Sequence, residues 1–311
     1  MRNTTDVLRR GLDNTLANWQ LIAIRIAASV LFVIIIVASI VAAIVPVAVA
    51  AGLSHFDLRN ADNAAQAISA MVLEHWPLIL YILVVITVVL GVLIAIYSFV
   101  EAGNARVFVD AERAAGRTAV PQRATFRAFS MDRWLQGGRS SWWSVFWIYN
   151  VAWGIAGLIM LIPLLVTVAG MLAIDDPGGR VAIGCAGLLF TFLVVVPLAL
   201  LVAVWTEKAI AVCVARAATA GAALRVAWAE IKKDFGRHFA VAFIVFVIAF
   251  GGAMAISMLT APLSFVRGAT NDPFNFAFAP AQILSSLAQS VFSAAVGLWF
   301  LAAYVGLTEE K

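Results

Sequence analysis

The sequence is poor in charge and nearly devoid of cysteine. Lysine, arginine, aspartate and glutamate make up 12% of its 311 residues, about half the share usual in soluble domains, while 63% of the chain is hydrophobic. That balance excludes a soluble globule. It also excludes a disordered chain, and two cysteines, Cys185 and Cys213, are too few for a disulfide scaffold. The recurrent catalytic signatures are missing as well: there is no phosphate-cradling glycine loop, no zinc-protease histidine pair and no Gly-x-Ser-x-Gly elbow, so nothing in the sequence argues for an enzyme. Mid-span ionisable residues, the usual mark of proton relays and ion-coupled carriers, are absent too, which argues against an ion-driven pump.

What is present is a series of long apolar runs. A helix needs about 20 apolar residues to cross the hydrocarbon core of a bilayer, and six runs meet that length: Leu21 to Ala51, Leu78 to Val100, Ser144 to Ile174, Val181 to Trp205, Phe239 to Ser264 and Ile283 to Val305. They are apolar on every side, so they do not read as barrel strands with alternating faces; each must satisfy its backbone internally as a helix. The expected fold is an all-α integral membrane protein with six transmembrane helices. Ala48-Val49-Ala50 follows an apolar run with arginines upstream, the outline of a secretory signal, but a run of about 31 residues far exceeds a signal's apolar core, so it reads as an uncleaved first helix.

Charge sets the orientation. With the N-terminus inside, eighteen of the 21 basic residues fall on cytoplasmic segments and Arg59, Arg180 and Arg267 fall outside. Both termini are therefore expected in the cytoplasm. Such a face attracts anionic lipid headgroups of the inner leaflet and requires no nucleic-acid partner.

The runs also share punctuation. Each odd span carries a proline followed at nearly fixed distance by a glycine: Pro46 to Gly52, Pro163 to Gly170 and Pro262 to Gly268. Two of the returning spans end in a glutamate, Glu101 or Glu207, and continue as a helical stretch towards Gly116 or Gly221. This suggests three tandem hairpins over residues 4–116, 121–221 and 222–311, each a cytoplasmic amphipathic helix, a long outward span and a shorter inward span. The amphipathic stripes are Leu8, Leu12, Leu16 and Trp19 in the first copy and Leu224, Trp228, Ile231 and Phe235 in the third. The second copy, around Phe126, Phe129, Trp134 and Leu135 and ending in Gly137-Gly138, is blurred. The first span would be roughly 46 Å long and so must tilt, project or kink at Pro46; Pro163 is the matching device in the third.

Several residues are candidates for more than packing. Arg25 lies one turn inside the first span and can snorkel to pair with Glu101 or Glu207 at the inner boundary, locking hairpins together. Trp147, Asn150 and Trp153 lie deeper than the interfacial pair Trp142 and Trp143; they could hold a lipid, quinone or pigment, although helix glue is the commoner use of such a group. Ser286, Ser290 and Ala294 form a ridge of small residues on the sixth span, and Gly251, Gly252 and Ala253 a second set on the fifth. His55, Asp57, Asp62, Glu74 and His75 match no zinc or calcium spacing, so no metal or other cofactor is expected.

The outline of Ala223-Leu224-Arg225-Val226-Ala227-Trp228 leading through Gly236-Arg237-His238-Phe239 into a span resembles uncharacterised bacterial and archaeal multipass families, including the membrane domain that accompanies glycerophosphodiester phosphodiesterases. The resemblance implies an inner-membrane protein. It transfers no activity, because the catalytic domain is not in this chain, and no functional residues. The leading expectation is a non-enzymatic scaffold or accessory subunit that engages other membrane proteins or anionic lipid; the alternative is a carrier or channel for a lipid-like or small neutral solute.

Overall fold

A computed structural model of the chain describes residues 2–50, 76–116, 121–174, 176–269 and 279–310. The described residues contain eight α-helices and no strand: α1 (Thr4–Ala17), α2 (Gln20–Ala50), α3 (Trp76–Ala115), α4 (Met131–Leu172), α5 (Pro177–Arg216), α6 (Ala220–Lys233), α7 (Phe235–Ala269) and α8 (Ala279–Glu309), with a 3-10 turn at Arg123–Phe126 before α4. Six of them, all but α1 and α6, are long and apolar enough to cross a membrane. Their flanks carry exposed Leu, Ile, Val and Phe along most of their length, as at Leu158, Leu165, Leu188 and Phe192. A surface of that kind is an association hazard in water and the expected solvated face in hydrocarbon.

The helices outrun the apolar segments that define them. α3 continues well past Val100, and α4 begins at Met131 rather than Ser144. The returning helix is the longer one only in the first hairpin, 40 residues in α3 against 31 in α2; α5 with 40 and α8 with 31 are shorter than α4 with 42 and α7 with 35. The cause is visible in α3, where Glu101, Ala105, Phe108 and Glu112 recur at helical spacing and are all buried, so the polar extension has a packed face of its own. Among the described residues, the second copy holds no α-helix ahead of its outgoing span, only the 3-10 turn. Ser130 Oγ accepts from the Arg133 backbone N–H at 3.3 Å to cap α4, which then runs unbroken through Gly137-Gly138.

Helix ends follow local chemistry. α3 stops at Gly116 in the left-handed region, φ 66°. α5 stops not at Gly221 but at Ala217, which holds φ 50°, and Gly221 lies inside α6. Pro177 occupies the first turn of α5, where Asp176 accepts from the Gly179 N–H at 2.6 Å.

The chain divides into two compact units, Ala27–Tyr97 and the remainder. In the larger, α8 is central: 56% of its most apolar stretch is buried, against 17% or less in α4, α5 and α7. α1, α5 and α7 pack on it. Small residues set the closest approaches. A Cβ at Gly11 would lie 2.9 Å from the Ala303 backbone nitrogen, and one at Gly252 only 2.1 Å from the Phe292 ring. On the predicted small-residue ridge of α8, Ser286 and Ser290 are exposed and Ser290 Oγ bonds the Ser286 carbonyl, while Ala294 is buried. In the smaller unit the Phe32 and Tyr97 rings are 6.3 Å apart, and an apolar groove of about 470 Å³ runs past Ile36, Ile40, Ile82 and Val89.

Candidate functional site

The aromatic group on α4 does not form an enclosed site. Trp147 and Trp153 are more than 40% exposed, and Asn150 donates to the Phe146 carbonyl of its own helix at 2.8 Å rather than to a neighbouring span. Trp143 stacks on Phe146 at 5.4 Å and meets Trp147 edge-on at 5.8 Å, a ladder along one helix face. Pro163 is buried within an α4 that continues to Leu172, and the Thr167 hydroxyl bonds its carbonyl at 2.8 Å. Pro46 and Pro262 fall within α2 and α7, with their side chains outside the described residues. His55, Asp57, Asp62, Glu74 and His75 lie outside the described residues.

The polar chemistry gathers instead at the basic end of the larger unit, where α1, the 3-10 turn, α6 and the ends of α3, α5 and α8 meet. Arg25 Nη2 lies 2.9 Å from Glu101 Oε1, whose side chain is 1% exposed. Glu207 stands within electrostatic reach of both. The Arg25 guanidinium also lies against Gly297, where a Cβ would come within 2.7 Å of Nη1, so a bare backbone makes room for it.

A second cluster forms under α1. Arg10 is wholly buried: it reaches Glu112 Oε1 through Nη2 at 2.8 Å, the Gly116 carbonyl at 2.9 Å, and lies over the Phe126 ring at 5.3 Å. Arg2 joins Glu112 at 2.7 Å. Asn18 donates to the Phe126 carbonyl at 2.8 Å and accepts from the backbones of Ala128 and Phe129 at 3.0 and 2.9 Å, so one amide fixes the whole turn before α4. The buried face of α1 is therefore Val7, Leu8, Arg10, Gly11, Asn14 and Thr15, while Leu12, Leu16 and Trp19 are exposed. The predicted apolar stripe is split, and much of its polar complement faces in.

A third cluster closes the C-terminus. Buried Lys208 reaches Thr308 Oγ1 at 2.9 Å and Glu230 at 3.0 Å, and Arg216 takes the other Glu230 oxygen at 3.0 Å. Arg113 grips Glu309 through two bonds of 3.0 Å. Glu310 accepts from Arg237 at 2.7 Å and from the Arg2 backbone N–H, which ties the two chain ends together. Burial would raise the Glu310 carboxyl, but those two hydrogen bonds and the charges of Arg237 and Arg2 outweigh it and hold it below the usual carboxylate range. Tyr304 donates to the His238 carbonyl at 2.7 Å beneath a cleft of about 400 Å³ lined by Lys208, Glu230, Asp234, Arg237 and Glu310. Lys208 and Arg237 are ion-paired with the acids around it, an arrangement that braces helices, while Lys233 also lines the cleft.

Of these groups, Arg25, Glu101 and Glu207 are legible in sequence as boundary residues. Glu112, Asn18, Lys208 and Glu310 are not singled out by any motif. The available signal is the register Glu101, Ala105, Phe108, Glu112, one helix face that buries both acids. These features define a class: an all-helical chain with six apolar helices, compatible with a multipass membrane protein. Searches against known protein families, curated proteins and solved structures found no match.

Proposed function

We propose that this is a non-enzymatic multipass inner-membrane protein, a scaffold or accessory subunit that presents its basic end to partner proteins or anionic lipid of the inner leaflet. The observation that carries the reading is the distribution of order: buried ion pairs brace the end that holds both termini, α1 and α6, while the apolar lengths of the spans turn exposed side chains outward. A platform needs a rigid end. The three segments that precede the outgoing spans, α1, the turn before α4, and α6, all sit at that end, and three tandem hairpins with cytoplasmic termini account for the placement. The resemblance to membrane domains that accompany glycerophosphodiester phosphodiesterases accords with an inner-membrane protein. A carrier for a lipid-like or small neutral solute is the second reading, favoured only by the apolar grooves beside α2 and α4.

Purification of the full chain in mild detergent, followed by mass spectrometry of whatever accompanies it, tests the proposal. A stoichiometric partner chain or enrichment of anionic lipid supports it. Uptake of a neutral solute into proteoliposomes that depends on the chain contradicts it.

A further inference from the structure

We propose that the groove between α4 and α5, roofed by α6, holds one anionic phospholipid, with an acyl chain along the apolar wall and the phosphate on Arg225. The inference rests on the membrane reading above and adds a site to it. The groove has a volume of about 380 Å³, and its floor is the buried cluster Ala152, Ala156 and Val202. Ile155, Ile159, Leu198 and Leu201 supply the apolar wall. At its mouth the rings of Trp205 and Trp228 lie 5.8 Å apart, and Trp205 is held by its indole N–H bond to the Leu224 carbonyl at 2.9 Å. Tryptophan at the boundary between apolar and wet surroundings is the ordinary neighbour of a lipid headgroup.

Charge selects among lipids. Arg225 is the charged side chain on the groove wall, and it is exposed. The sole acid in the α6 sequence, Glu230, faces the other way and is neutralised by Lys208 and Arg216 at 3.0 Å each. The exposed face of α6 is thus cationic, with Arg225, Lys232 and Lys233. A zwitterionic lipid could enter the apolar slot but would bring its own cation to Arg225. An anionic headgroup matches the charge, and the slot orders the acyl chain below it.

Native mass spectrometry of the full chain in mild detergent, titrated with phosphatidylglycerol and separately with phosphatidylcholine of the same acyl chains, tests the site. The wild type is expected to retain one phosphatidylglycerol in preference to phosphatidylcholine. Arg225→Glu should lower retention by at least about fivefold, the scale of one basic contact at an anionic surface, whereas Lys232→Glu, an equal charge change on the same helix, should alter it by less than about twofold. Leu198→Trp, which fills the slot and leaves every charge in place, should also lower retention. Both Arg225 and Lys232 are exposed, so their comparison survives even if the tryptophan variant fails to fold. Equal losses in Arg225→Glu and Lys232→Glu would overturn the site while leaving a generally basic, lipid-attracting face intact. A wild type that shows no preference for phosphatidylglycerol would overturn both. Lipid-free dimers that dissociate on Leu198→Trp would assign the groove to a second copy of the chain and overturn the lipid site.

Discussion

Arg10 and Glu112 stand 2.8 Å apart with side chains 2% exposed, and each is held by further bonds rather than by the pair alone. Two buried charges offset their desolvation only when geometry is good and both remain, so removing one partner is the informative change. Glu112→Ala should destabilise the protein by about 3–5 kcal/mol, because it strands Arg10 and loosens Arg2 together. Thermal unfolding in detergent reads the effect, and Glu112→Gln, which still accepts hydrogen bonds, should cost less. Glu310 gives a pH signature. Its folded-state carboxyl is held below the ordinary value, so its contribution is complete above the unfolded value and is lost as pH falls through the folded one. Stability should therefore drop on acidification through the low carboxylate range, and Glu310→Gln should flatten that part of the profile. A variant profile as steep as the wild type's would remove Glu310 from the explanation.

Among the elements, α1 shows where local reasoning stops. Its Leu8, Leu12, Leu16 and Trp19 stripe is a valid helical period, but the buried face is set by Glu112, Gly116 and Phe126, all more than ninety positions further along the chain. A local window cannot see that partner. Backbone proximity fixes the docking too: with Gly11 against the Ala303 backbone, Gly11→Val should push α1 off α8 and cost about 1–3 kcal/mol, with faster proteolysis of the N-terminal segment as its readout. At the end of α5, Ala217 adopts φ 50°, so Ala217→Gly should stabilise by up to about 1 kcal/mol in the same thermal assay. The apolar cores of the six spans are legible because hydropathy is a local property. Their polar extensions are not, because α3 continues past Val100 only where the rest of the unit buries Glu101 and Glu112. The α4 aromatics show the same limit: composition groups Trp147, Asn150 and Trp153, and only the fold shows that both tryptophans are exposed and that Asn150 bonds its own backbone.

For the whole molecule, the count of basic residues predicts an orientation, and the fold gathers the clusters they form around both chain ends. That convergence links a sequence-wide charge bias to one basic end, the face proposed above to meet anionic headgroups and partner chains. Cysteine accessibility tests it most directly. In a background lacking Cys185 and Cys213, Gly178→Cys, at the start of α5, should react with a membrane-impermeant maleimide applied to intact cells, while Lys233→Cys, at the end of α6, should react only after permeabilisation. Labelling of the Lys233 position from outside intact cells, or of both positions from the same side, would contradict the account.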